Sequence, residues 1–237
     1  MRMAVVSDVH GNLAALDAVV AALERERVDA VVHGGDLVLN GPRPAEVVDR
    51  VRELGWPGVV GNTDEVLWTG ITHVPDHLAT VFGVLGRLTS DLLGPERVGW
   101  LRALPYRWTA DGVVLLHASP ADLWWAPEME ASDGEVERVY GGLGAATVLC
   151  GHVHVPFVRR LDGLTIANSG SVGLPCDGDW RASYLLVEDG DVSVRRVEYD
   201  LERELAAVRT SGYPTRGWIE EVHRTARRVR PMRLDSV

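Results

Sequence analysis

Met3-Ala4-Val5-Val6-Ser7-Asp8-Val9-His10-Gly11-Asn12 passes from an apolar, β-branched run to a cluster of metal-seeking donors. The pattern predicts a buried strand over Met3 to Ser7, which leaves Asp8 and His10 at its carboxyl end. The same arrangement recurs along the chain. Ala30 to His33 precedes Gly35-Asp36, Val59-Val60 precedes Gly61-Asn62, Val113 to Leu116 precedes His117, and Thr147 to Cys150 precedes Gly151-His152-Val153-His154. A parallel sheet delivers the ends of its strands to one edge, and ligands bind in the crevice there. Two carboxylates, one amide oxygen and four imidazoles can therefore meet in one pocket. That donor set suits a pair of divalent ions, and paired ions are a device for hydrolysing phosphate esters.

The segments between these strand ends read as helices. Leu13, Leu16, Val20 and Leu23 share one face of a helix over Leu13 to Arg27, with Asn12 as its N-cap. That helix N-terminus could also face a phosphate. Pro44 opens a second helix, which Gly55 stops after Leu54. Strand and helix thus alternate as βαβαβ, and right-handed crossovers imply a parallel sheet. From about 64 to 104, Leu67, Leu78, Val81, Leu85, Leu88 and Leu92 predict two or three short inserted helices, broken at Pro75 and Gly94-Pro95. A short helix is expected near Glu135 to Leu143. Hairpins follow: Val155 to Leu161 with Leu164 to Asn168 across Asp162-Gly163, then Ala182 to Val187 with Val192 to Tyr199. They are expected to form a second sheet packed on the first. An amphipathic helix from Leu201 to Arg209 and a possible Arg-rich helix from Ile219 to Arg230 close the chain. Residues 1–200 are read as one domain with its insertion at about 64–104, and 201–237 as a helical extension on or beside it.

Bulk composition narrows the function. The 237 residues carry a net charge of −10, with 46% hydrophobic and 24% charged residues. This is an ordinary globular composition, and its acidity disfavours a broad nucleic-acid-binding face, which needs clustered Lys and Arg. A small anionic substrate stays compatible, because two divalent ions would make the pocket locally cationic. Cys150 and Cys176 form no metal or redox spacing, and no secretory leader precedes the first strand, so a cytoplasmic setting is expected. No apolar run approaches the ~20 residues that span a bilayer.

Taken singly, each donor cluster is a weak signal. Their order is specific: Asp-x-His, Gly-Asp, Gly-Asn, His, then Gly-His-x-His. In this it resembles the calcineurin-like metallophosphoesterases over Met1 to Tyr199. Asn168-Ser169-Gly170-Ser171-Val172-Gly173 is similar to a loop of the small bacterial and archaeal phosphodiesterases of that superfamily. The resemblance implies an α/β fold, a four-layer αββα sandwich of two mixed sheets flanked by helices. It implies that Asp8, His10 and His154 hold one ion, that Asn62, His117 and His152 hold the other, and that Asp36 bridges both. Mn²⁺, Fe²⁺/Fe³⁺ or Zn²⁺ would suit these ligands. The implied reaction is in-line attack of a metal-bridging hydroxide on phosphorus, in a phosphodiesterase of broad range acting on small phosphoesters or nucleotides.

Two departures qualify that reading. Many relatives carry His after Gly-Asn and use it to help the leaving group. Here Thr63 stands in that place, which points to Asp64, His73 or His77 as substitutes. Asn40 occupies the position of a phosphate-clamping Arg in protein phosphatases and loses its charge and bidentate fork. A dinucleoside polyphosphate hydrolase is the alternative, since an anhydride needs little acid help, and a non-catalytic scaffold is a weaker one. Asp36, Asn62 and Asp64 are the candidate catalytic residues. Asn12, Asn40, Thr63 and Trp124 are the candidate substrate contacts, with Trp124-Trp125 available to stack a nucleobase at the rim. Neither a membrane nor a nucleic acid is expected as partner, and the assembly state is left open.

Overall fold

Strand β1 (Arg2–Val6) is covered on both faces, and its two faces belong to different cores. Met3 and Val5 enter a cluster with Leu115, Leu149 and Leu185. Ala4 and Val6 enter another with Leu16, Val19, Val47 and Val208. Successive strand side chains point to opposite faces, so a strand buried on both must lie in an inner layer. Those layers are described by a computed structural model that covers residues 2–230 and 232–235.

One sheet has the order β2-β1-β8-β9, built from β1, β2 (Ala30–His33), β8 (Ala182–Glu188) and β9 (Asp191–Val197). The other has the order β3-β4-β5-β7-β6. Its strands are β3 (Arg107–Ala110), β4 (Val113–Leu116), β5 (Thr147–Cys150), β6 (Phe157–Leu161) and β7 (Leu164–Asn168). Both are mixed: β1 runs parallel to β2 and antiparallel to β8, while β5 runs parallel to β4 and β7. The outer layer on the first sheet holds α1 (Leu13–Glu26), α2 (Pro44–Leu54), α4 (Ala79–Arg102), α6 (Leu201–Thr210) and α7 (Arg216–Thr225). Helix α5 (Asp133–Tyr140) covers the second sheet, with Val136 and Tyr140 against Val114, Leu116, Val148 and Ile166. This is the four-layer αββα arrangement.

The details depart from the sequence reading at Val59-Val60, in the hairpins, at the unforeseen edge strand β3 and at the last helix. Val59-Val60 is no ladder strand. Gly58 makes a single bridge to His33, and the amides of Val59 and Val60 turn to the His33 and Pro105 carbonyls, at 3.0 Å each. Val59 still lies in the inter-sheet core, which explains its apolar character. The hairpins do not make a sheet of their own, because β6-β7 extends β5 while β8-β9 inserts beside β1. The insertion breaks where expected, with α3 (Asn62–Thr69) before Pro75, a 3₁₀ turn at Asp76–Leu78 after it and α4 kinked at Gly94 ahead of Pro95. The last helix stops at Thr225, capped by Ala226 in the left-handed conformation, not at Arg230.

Helices α6 and α7 bring Val208, Trp218, Ile219 and Val222 into the same core as α1. They also bury Glu204 completely, with Arg43 Nη1 3.8 Å from its carboxylate as the paired cation. Burial pushes this carboxyl up from 4.5 to about 7. Its folded value lies above its unfolded one, so its contribution favours the fold below pH 4.5 and is lost as the pH rises through about 7. Glu204→Gln removes that titration. Thermal melts of parent and variant at pH 5 and pH 8 are expected to show the difference moving in the variant's favour at the higher pH, by about 1–3 kcal/mol.

Candidate metal centre

Five chain segments meet at one edge of the two sheets, and main-chain bonds lace them together. Asp8 N donates to Gly35 O at 3.0 Å, His10 N to Asp36 O at 3.0 Å, and Gly151 N to His117 O at 2.9 Å. The Asp64 carboxylate accepts from the amides of Asp36 and Leu37, both at 2.9 Å, and of Gly61 at 3.1 Å. It thereby ties the turn of Asp36 to the start of α3, whose first residue is Asn62. Asp8, His10, Asp36, His152 and His154 all have positive φ, between 50° and 68°. Such strain costs of order 1–3 kcal/mol per residue and persists only where its surroundings fix it. Two glycines make room. A Cβ on Gly61 would lie 2.1 Å from Asp36 Oδ1, and one on Gly151 would lie 2.3 Å from Asp8 Oδ2.

The donors fall into two groups that share Asp36. In the first, atoms of Asp8, His10, Asp36 and His154 lie within 4.8 Å of one another. His154 Nε2 is 3.2 Å from Asp8 Oδ1, and His10 Nε2 is 3.7 Å from Asp36 Oδ2. In the second, Asn62 Oδ1 lies 2.8 Å from His117 Nε2 and 3.0 Å from His152 Nδ1. Asp36 turns its other oxygen, Oδ1, to this group, 3.5 Å from His117 Nε2.

The tautomers reveal what the arrangement fits. Nδ1 of His10, His117 and His154 faces the carbonyls of Leu39, Gly34 and Leu174 at 2.8, 2.8 and 2.6 Å. A carbonyl only accepts, so each Nδ1 carries the proton and each Nε2 of a neutral ring is bare. His10 Nε2 and His154 Nε2 then stand 3.1 Å apart with lone pairs opposed. Burial holds His10 down to about 3 and His154 down to about 4, and lowers His152 as well, so these rings are neutral. Burial pushes the Asp8 and Asp36 carboxyls upward. Opposed lone pairs beside desolvated carboxylates are stabilised by cations, and the residues fit two divalent ions. Imidazole orientation by main-chain carbonyls is the usual support of a metal ligand.

The remaining candidates are placed differently. Asn12 caps α1, accepting from Ala15 N at 2.9 Å, and its amide donates to Gly173 O at 3.3 Å, so both ends are engaged. Asn40 is buried with φ 70°. Thr63 is buried too, and its amide donates to Asp36 Oδ1 at 2.8 Å. With three amides on its carboxylate, Asp64 has the geometry of a clamp, and burial together with the nearby Asp36 charge pushes its carboxyl upward. Trp124 packs edge-on against Phe82 and sets its carbonyl at the His152 ring. Trp125 is the exposed member of the pair. Two arginines of the tail pair with acids as a solvated face does, Arg224 with Glu202 and Glu220, and Arg233 with Glu221. Arg228 is the exception that sequence reading missed. Its guanidinium donates to Val153 O at 2.9 Å, between His152 and His154, and to Glu128 at 2.9 Å. No local signal marks it, because the contact spans 75 positions.

Comparisons with known proteins identify the family and match the fold. A family profile described as the calcineurin-like phosphoesterase superfamily domain matches residues 1–191. The crystal structure of a metallophosphoesterase from Sphaerobacter thermophilus is 30% identical, covers 95% of this chain and 99% of its own, and superposes with a TM-score of 0.80. An uncharacterized protein of Methanocaldococcus jannaschii is 28% identical over 92% of this chain and 96% of its own length. A symmetrical bis(5′-nucleosyl)-tetraphosphatase of Nitrosococcus oceani is 33% identical over 49% of this chain and 43% of its own.

Removing a residue that orients metal ligands from outside typically lowers metal affinity 10–100-fold. Arg228→Ala is expected to weaken Mn²⁺ binding by about that factor in calorimetric titration, with Arg228→Lys intermediate. Equal affinity in all three proteins would deny the tail this role.

Proposed function

We propose that this chain, which belongs to the calcineurin-like phosphoesterase superfamily, is a binuclear metal-dependent phosphodiesterase of broad substrate range. Membership makes it a phosphoester hydrolase. The finer reading rests on one observation above others: the opposed lone pairs of His10 and His154, with Asn62 and His117 gathered on the other side of a shared Asp36.

Asp8, His10 and His154 would hold one ion, and Asn62, His117 and His152 the other, with Asp36 serving both. When bound, the ions supply an activated water at neutral pH and positive charge for the phosphoryl oxygens. Mn²⁺, iron and Zn²⁺ all accept this mixture of imidazole and carboxylate. The chain's own residues fix the donors beforehand. Asp64 holds the Asp36 turn against α3, and the carbonyls of Leu39, Gly34 and Leu174 hold three rings in one tautomer. Such prior orientation removes reorganisation from the reaction itself. A cytoplasmic setting accords with the two free thiols, Cys150 and Cys176. No described helix is long and apolar enough to cross a membrane.

Thr63 offers no imidazolium to a departing alkoxide. General-acid help is typically worth ~10²–10⁴-fold, so substrates that need none should be favoured. A dinucleoside polyphosphate hydrolase is the second reading, supported by the low basicity of an anhydride leaving group. A scaffold without chemistry has less support, since all seven donors are present and converge.

A panel of aryl diesters, alkyl monoesters, nucleotides and dinucleoside polyphosphates with added Mn²⁺ tests the reading. Turnover is expected on aryl diesters or anhydrides and at least ~10²-fold less on alkyl monoesters. Comparable kcat across the panel would overturn the leaving-group argument, and no turnover on any member would overturn the activity. Asp36→Asn is expected to lose bound metal, read by elemental analysis, and to lower kcat by ~10²-fold or more.

A further inference from the structure

A cleft of about 720 Å³ opens beside the metal centre, between the helical insertion and the loop after β4. Glu65, His73 and Tyr106 line one wall, and Asp122, Trp124 and Trp125 the other. Its position is fixed by the donors themselves. Glu65 lies one helical turn beyond Asn62 on α3, and the loop of Trp124 follows directly from His117. The Trp124 carbonyl lies against the His152 ring, so the second wall touches the centre.

The rings on offer are unusually open for their size: Tyr106 is 57% exposed and Trp125 is 47% exposed. Hydrogen bonds hold the surroundings of these rings. Tyr106 Oη donates to Glu65 Oε1 at 2.8 Å, and His73 Nδ1 meets Glu65 Oε2 at 3.1 Å, so one buried carboxylate anchors both side chains. Across the cleft, Asp122 Oδ1 accepts from Trp124 N at 2.7 Å, Ser119 Oγ donates to Asp122 O at 3.0 Å, and Trp124 packs on Phe82. The Trp124 indole N–H is buried without a partner. No Arg or Lys lines the cleft.

We propose that this cleft receives the nucleobase of a nucleoside-bearing substrate whose phosphorus sits at the metal centre. Exposed indole and phenol rings at one cleft suit a planar, polarisable ligand. The exposed Asp122 carboxylate, which gives only Oδ1 to the Trp124 amide, can accept hydrogen bonds from the amino and imino groups of a base. The lack of cationic side chains leaves a second phosphate or a continuing nucleic-acid backbone without a counter-charge. The ligand is therefore a single nucleoside with its charge at one end. The volume lies within the range of small-ligand pockets. This inference rests on the phosphodiesterase reading above and adds where the substrate's organic part binds.

Two diesters that lose the same p-nitrophenolate test it: adenosine 5′-(p-nitrophenyl phosphate) and methyl p-nitrophenyl phosphate, assayed with Mn²⁺. The native enzyme is expected to prefer the nucleoside diester in kcat/KM by about tenfold or more, through KM. Trp125→Ala should cut that preference roughly tenfold, the scale of one lost aromatic stack, and Trp125→Phe should restore most of it. Calorimetry with adenosine gives a readout apart from turnover: binding by the parent and loss of binding in Trp125→Ala. If neither diester is hydrolysed, the phosphodiesterase reading fails while calorimetry still judges the cleft. Equal kcat/KM on both diesters by the native enzyme, an unchanged preference in Trp125→Ala, or equal preference for benzyl p-nitrophenyl phosphate would overturn the nucleobase assignment.

Discussion

Imidazole nitrogens turned toward one another with no proton between them are what this structure is organised to sustain. His10 and His154 each spend a single proton on a main-chain carbonyl, so the opposite nitrogen reaches the pocket bare. Holding bare nitrogens 3.1 Å apart is unfavourable unless a cation lies within reach, and the surrounding backbone is arranged to keep them there. That explains the left-handed conformations clustered at Asp8, His10, Asp36, His152 and His154, which a relaxed chain would avoid. It also explains why Gly61 and Gly151 carry no side chain: a methyl group at either would occupy the space of an Asp36 or Asp8 oxygen.

Much of this was readable before any coordinates. Pro44 and Gly55 bracket α2 because each fits only one end of a helix, and the apolar runs over Val113–Leu116, Thr147–Cys150 and Leu164–Asn168 are strands buried enough to stand out. The donors could be listed because strand ends and short motifs are local properties. What escaped is non-local. Which sheet a strand joins depends on the partner beside it, and nothing in Ala182 to Val187 announces that it lies next to Met3. β3 was missed because it is an edge strand with two of its four residues exposed, so its alternation is faint. Val59-Val60 misled because burial between sheets selects the same residues as strand pairing does.

The polar assignments divide along the same line. Asn12 was read as a cap and is one. Asp64 looked like an acid next to a ligand, whereas the folded chain surrounds its carboxylate with amides. Trp125, Tyr106 and His73 belong to three separate stretches, and only the packing of the insertion against the loop after His117 turns them into one cleft. Arg228 shows the limit most clearly. Arg224 and Arg233 pair on the surface, while Arg228 reaches across to the turn that carries two imidazoles.

The two donor groups draw on both sheets. Asp8, His10 and Asp36 follow strands of the first sheet, while His117, His152 and His154 follow strands of the second. Each ion would thus be gripped from both sides of the seam and act as a rivet through the sandwich. Cohesion and chemistry then reside in the same few atoms. A small slide of one layer over the other would register first as a loosened rivet, well before any strand came apart.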